Sequence, residues 1–157
     1  MSLIDDLRLE PSVAWSTRVF RDVARKARYW EVLVMRTQRG VDASRRELCL
    51  PGSGKRGWHV RGYCHGFEIR GPDGQRTTKA YGVVVLQKAY LSSPEYVAHE
   101  FTHAAHFTLL RTCDFCNMRL DDEAVIEPLA DLVGWYMSQF SAARARQLHV
   151  EEVRRWS

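Results

Sequence analysis

The stretch Ser93-Pro-Glu-Tyr-Val-Ala-His-Glu-Phe-Thr-His103 contains both a helix start and a pair of histidines four residues apart. Ser93 is a favourable N-cap residue, and Pro94 suits the first helical position because its missing N–H would have no partner there. The sequence therefore predicts a helix from about residue 94 to about residue 111. Histidines four residues apart on this helix would lie on the same face.

The last five residues of this stretch, His99-Glu-Phe-Thr-His103, match the pattern H-E-x-x-H. On a helix, the two imidazoles can bind one metal ion. Glu100 lies about 100° around the helix axis from His99. It can therefore stand beside the ion without binding it and accept a proton from an attacking water. The pattern predicts one catalytic Zn²⁺ held by His99 and His103, with Glu100 as the general base.

Acidic residues downstream offer a third ligand, since a catalytic zinc usually has three protein ligands and one open position. We predict a second helix over about residues 122–147, with Pro128 causing a kink or a late start. Three carboxylates spaced four residues apart lie on one face of this helix: Glu123, Glu127 and Asp131. The last two form the pattern E-x-x-A-D.

Together, the H-E-x-x-H and E-x-x-A-D motifs resemble those of the gluzincin metallopeptidases. The resemblance implies that Glu127 is the third zinc ligand and that Asp131 orients a histidine ligand. The alternative is that Glu123 binds the metal and Glu127 takes the supporting role. The resemblance also implies a zinc-dependent hydrolase that cleaves peptide bonds in a peptide or protein substrate.

The expected fold class is α+β, with one zincin-like domain over residues 1–157. Apolar residues at helical spacing predict an N-terminal amphipathic helix over residues 12–36. A small antiparallel or mixed sheet follows, with extended structure over 58–70 and a strand over 79–86. The motif helix and the glutamate-bearing helix complete the fold. The resemblance implies that the strand over 79–86 is the edge strand that pairs with the substrate backbone.

Peptide hydrolysis also needs a hydrogen-bond donor for the developing oxyanion. Three residues are candidates: His106, Tyr136 and His149. His106 lies about 10 Å along the helix axis from His99. This distance is too long for both residues to bind one ion on a straight helix.

The motif Cys113-Asp-Phe-Cys116 is half of a structural zinc site. Cys49 and Cys64, with His65 beside the latter, would supply the other half of a second, structural zinc site. The other interpretation is that the four cysteines are free thiols that pack as small hydrophobic residues.

The chain has 23 Lys and Arg against 19 Asp and Glu, a net charge of +4, and part of this excess lies near its two ends. A basic surface can bind nucleic acid or only hydrate the protein. One alternative function is therefore a protease of the SprT-like group, which acts on DNA-bound proteins. Another is a non-catalytic, zinc-stabilised binding or regulatory domain. The sequence does not indicate the oligomeric state.

No run of eighteen apolar residues occurs in the chain, so neither a transmembrane helix nor a membrane partner is expected. The first residues, Met1 to Asp6, lack the basic and apolar regions of a secretory signal. We therefore expect a cytoplasmic protein.

Overall fold

The computed structural model describes residues 8–21, 28–48, 60–67, 79–111 and 123–156, except the side chains of 123 and 124. These residues form an α+β structure in which helices cover both faces of a mixed, four-stranded sheet. The strands are β1 (Val13–Phe20), β2 (Tyr29–Met35), β3 (Gly62–Gly66) and β4 (Ala80–Gln87), and the helices are α1 (Gln38–Leu48), α2 (Pro94–Leu110) and α3 (Glu123–Trp156).

The order of strands in the sheet is β1-β2-β4-β3. β4 runs parallel to β2 and antiparallel to β3, and β1 is antiparallel to β2. The predicted strand over 79–86 is confirmed as β4, but its predicted place at the sheet edge is wrong because β4 has a partner on each side. In the described part of the sheet, the edge strand next to the motif helix is β3, which lies inside the predicted extended segment 58–70.

Two hydrophobic cores lie on opposite faces of the sheet. On one face, Val32 and Val84 pack with residues of α2 and α3. On the other, Leu33 and Val83 pack with residues of α1. All four side chains are fully buried, because β2 and β4 are covered on both faces. Central strands of this kind contain nearly continuous apolar runs instead of an alternation of apolar and polar residues.

The predicted N-terminal helix over 12–36 is wrong, since this segment contains β1 and β2. The prediction depended on apolar residues four apart, such as Trp15 and Val19. Residues four apart share a face in a strand as well as in a helix, because four is also a multiple of the strand period of two. Trp15 and Val19 do lie in the same core. β-branched and aromatic residues in β1 and β2 favour the strand.

Helix α1 was not predicted, and α3 extends beyond its predicted end at residue 147. α1 buries only two large apolar side chains, Val41 and Leu48, together with the small residues Gly40 and Ser44. Its apolar residues are therefore few, and the segment is easily overlooked as a helix. α3 includes Pro128 and continues to Trp156. No helix in the described ranges is both long enough and apolar enough to cross a membrane.

Gly82 in β4 provides a test of the sheet packing. A Cβ atom at this position would lie 2.1 Å from the carbonyl oxygen of His65 and 2.5 Å from the Trp30 ring. We expect Gly82→Ala to lower the free energy of unfolding by about 1–3 kcal/mol, because backbone must move to admit the methyl group. Urea denaturation of wild type and variant measures this change.

Gly134→Ala in α3 is the matched control, since a Cβ there would have no atom within 4 Å. Alanine is the better helix former, so this variant should gain up to about 1 kcal/mol. Equal destabilisation by the two substitutions would contradict the packing of β3 on β4.

Candidate metal centre

The predicted motif helix is confirmed as α2, and a side chain of its first turn forms hydrogen bonds with the sheet. The Ser93 hydroxyl caps the helix by accepting a hydrogen bond from the Tyr96 backbone N–H at 3.2 Å. The Tyr96 hydroxyl accepts a hydrogen bond from the Gln87 N–H at 2.9 Å and donates one to the Arg61 carbonyl oxygen at 2.7 Å. These bonds join the start of α2 to the end of β4 and to the residue before β3.

α2 lies unusually close to β3 because the strand presents small residues to it. A Cβ atom on Gly62 would lie 2.6 Å from the Tyr96 hydroxyl, and one on Gly66 would lie 1.9 Å from the Phe107 ring. Cys64 lies between the two glycines and shares their face, since side chains alternate along a strand. β3 therefore packs along α2 between Tyr96 and Phe107. The packing of β3 against α2 was not predicted. The feature of the sequence that indicates it is the alternation of small residues at 62, 64 and 66.

The two histidines of the motif converge. Their Nε2 atoms lie 3.2 Å apart, and their rings are nearly perpendicular at 86°. Two Zn–N bonds of about 2.05 Å at a tetrahedral angle would separate the nitrogens by about 3.3 Å. Burial first, and then the charges of His99 and His106, lower the pKa of His103. This favours the neutral imidazole, which is the form that binds metals. The pair fits a shared zinc ion.

The carboxyl group of Glu100 is buried next to this pair. Its residue is only 6% exposed, and it lines the cavity between α2 and β3. Burial raises the pKa of Glu100 to about 7. A nearby cation would lower this pKa again, because it stabilises the carboxylate. A raised pKa at a carboxyl that lines a cavity is typical of groups that transfer protons.

A cavity of about 430 Å³ connects these groups. β3 forms one wall, and the motif face of α2 forms the other, with His99, Glu100, His103 and His106 among its lining residues. The apolar side chains of Val60, Phe107 and Leu110 also line it. The cavity therefore combines a polar cluster with an apolar wall, which is the usual composition of a ligand site.

The described residues do not bring a third ligand to the histidine pair. No group of three His, Cys, Asp or Glu side chains there is placed to hold a metal ion. Glu127 and Asp131 lie on the exposed side of α3, whereas Val125 and Tyr136 face the core. The side chain of Glu123 lies outside the described residues. The assignment of Glu127, with Glu123 as the alternative, stays a prediction.

Tyr136 is not a candidate for the oxyanion donor. It is fully buried, and its hydroxyl lies 3.1 Å from the Thr108 hydroxyl. Thr108 already donates to the Ala104 carbonyl oxygen at 2.8 Å and accepts from the Trp30 indole N–H at 2.9 Å. Tyr136 must therefore donate its proton to Thr108, which lies about 180° around α2 from His99. His149 is exposed on α3 and does not line the cavity.

The predicted structural zinc site falls largely outside the described residues, which exclude Cys49, Cys113 and Cys116. Cys64 is described, and burial, followed by the charge of Glu100, raises the pKa of its thiol well above the usual range. Cys64 lines the cavity, whereas the neighbouring His65 does not. Adjacent residues of a strand project from opposite faces, so these two do not converge on one ion.

Some of the basic residues near the two ends contact other parts of the protein. Arg18 pairs with the buried Glu31 carboxylate at 3.2 Å, and its guanidinium lies 4.4 Å from the centre of the Tyr29 ring. Arg144 donates a hydrogen bond to the Leu91 carbonyl oxygen. These arginines therefore also stabilise the fold, and nucleic-acid binding through the basic ends stays a prediction.

Comparison of the chain with protein-family models, curated proteins and solved structures finds no match. The gluzincin resemblance therefore depends on the motif residues alone.

The histidine pair predicts a stoichiometry of zinc. We expect about one zinc per chain in the dialysed wild type, and none in His103→Ala, because two protein ligands are too few to retain the ion. Elemental analysis measures the zinc content. His149→Ala is the matched control and should keep the metal, since this histidine is exposed and outside the cavity. A wild type without zinc after refolding with the metal would contradict the site.

Proposed function

We propose that this protein is a zinc-dependent metallopeptidase of zincin-like fold. The observation that carries the proposal is the 3.2 Å separation of the His99 and His103 Nε2 atoms beside the buried Glu100. Both imidazoles and the carboxyl open into one cavity. The two imidazoles would supply two of the three protein ligands that a catalytic zinc usually has, and the carboxyl beside them would supply the base.

When bound by His99, His103 and a third ligand, zinc would activate a water molecule and polarise the substrate carbonyl. Glu100 accepts a proton from the water while the water oxygen attacks the carbonyl carbon of the substrate. Glu100 then passes this proton to the amide nitrogen, and the C–N bond breaks to release an amine and a carboxylic acid. Burial raises the pKa of Glu100 above that of a solvated carboxyl, which favours its acceptance of the proton.

β3 is the strand we assign to substrate binding, in place of β4. It lies at the edge of the described sheet, next to α2, and its residues form a wall of the cavity. An extended peptide can add to such an edge through backbone hydrogen bonds. Gly62 and Gly66 let β3 pack closely against α2, which places this edge strand beside the histidines. The opposite edge is covered in part, since the Gln139 side chain bonds both the N–H and the C=O of Phe20.

The position of Glu100 also favours a catalytic zinc site over the alternative function, a non-catalytic, zinc-stabilised domain. A structural zinc site is closed by four protein ligands and has no need of a carboxyl that acts as a base. Burial raises the pKa of Glu100, and perturbed carboxyl groups in cavities are typical of catalytic sites.

Glu100→Gln tests the role of the base. We expect kcat to fall by about 10²–10⁴-fold, because the amide cannot accept a proton. Zinc content should stay at the wild-type value, since Glu100 does not bind the ion. Cleavage of a fluorogenic peptide library, followed by elemental analysis, measures both quantities. Wild-type activity in Glu100→Gln would contradict the proposed mechanism, and loss of zinc would show that Glu100 is a ligand.

The third ligand can be assigned with a pair of matched substitutions, Glu127→Gln and Glu123→Gln. We expect Glu127→Gln to weaken zinc binding by at least about tenfold, and Glu123→Gln to leave it nearly unchanged. Competition with a chromogenic zinc chelator measures both affinities. The reverse result would assign Glu123 as the ligand, and unchanged affinity in both variants would exclude the two glutamates.

A further inference from the structure

Among the described residues that line the cavity, few side chains can donate a hydrogen bond to a substrate. The Tyr63 hydroxyl donates to the Ser44 hydroxyl at 3.0 Å. The Cys64 thiol is a weak donor. His99 and His103 would use their Nε2 atoms for the metal ion. His106 is the remaining donor, and an imidazole N–H is a strong one.

The position of His106 on α2 brings it near the proposed metal. It lies about 4.5 Å further along the helix axis than His103 and about 20° around the axis from His99. Side chains on a helix lean towards its N-terminus, so the imidazole leans towards His103. His106 is half-buried and lines the cavity with the other two histidines.

His106 is poorly placed to be a zinc ligand. Its distance from His99 along the helix is about 10 Å. The His99 and His103 Nε2 atoms already lie at the spacing of two ligands. The three histidines line one cavity, so a substrate carbonyl placed at the His99 and His103 pair would share that cavity with His106.

We propose that the His106 imidazole donates a hydrogen bond to the oxyanion that develops on the substrate carbonyl during hydrolysis. The inference rests on the proposed peptidase function. Water attack turns the carbonyl oxygen into an anion, and a positioned N–H stabilises that anion more than it stabilises the ground-state carbonyl. No bond to His106 forms or breaks in this step. If this proposal is correct, removal of the His106 imidazole weakens binding of the transition state but does not release the metal ion.

The first test compares His106→Leu with His106→Gln. Leucine removes the donor while keeping an apolar side chain of similar size, and glutamine retains an N–H on a side chain of similar reach. We expect His106→Leu to lower kcat about 10²–10³-fold with little change in KM. His106→Gln should recover at least about tenfold of that loss. His149→Leu is the matched control outside the cavity and should behave as wild type.

The second test measures binding rather than turnover. A phosphinic pseudopeptide, built on the best-cleaved library sequence, carries a tetrahedral anion where the oxyanion would form. By calorimetry, its Kd should rise in His106→Leu by about the same factor as kcat falls. The Kd of the product peptide should not change.

The outcomes separate this inference from the function on which it rests. Wild-type protein that binds zinc and cleaves peptides, with unchanged kcat and pseudopeptide affinity in His106→Leu, overturns the inference alone. Loss of zinc from both His106 variants, with their thermal unfolding still cooperative, makes His106 a ligand and also overturns it. Wild-type protein that neither holds zinc nor cleaves the library overturns the proposed peptidase function itself.

Discussion

The close approach of α2 to β3 is the constraint on which the rest of the site depends. The helix can lie this near the strand only because Gly62 and Gly66 have no side chain where the Tyr96 hydroxyl and the Phe107 ring pass. The same contact makes β3 a wall of the cavity and aligns it with the histidines. Larger residues on this face of β3 would move the strand away from α2 and open the site to water.

This packing also determines the electrostatics of the site. Glu100 follows His99 on the helix, but about 100° of rotation turns it from the open side of α2 towards the covered side. Its carboxyl is therefore desolvated, whereas the histidines remain exposed. Burial raises the pKa of Glu100 to about 7. A buried carboxyl and two neighbouring imidazoles are complementary, because a cation held by the imidazoles would stabilise the carboxylate.

The face of α2 opposite the histidines is buried, and its polar groups are paired. Thr108 and Tyr136 form a buried hydrogen-bond network with Trp30 of β2, in which every proton has an acceptor. A satisfied network of this kind holds the helix in one orientation relative to the sheet. It also explains why Tyr136, a reasonable candidate on residue type, has no part in the cavity.

Local features of the sequence were sufficient to predict α2, its cap at Ser93 and the shared face of His99 and His103. These features depend on contacts within a few residues, and helix geometry converts spacing directly into position. Sequence could not distinguish helix from strand over 12–36, since residues four apart share a face in both. Nor could it place β3 at the sheet edge, because strand order is set by hydrogen bonds between distant segments. Only the tertiary structure decided which strand faces the histidines and that Glu100 is buried, since both depend on the packing of the helix against the sheet.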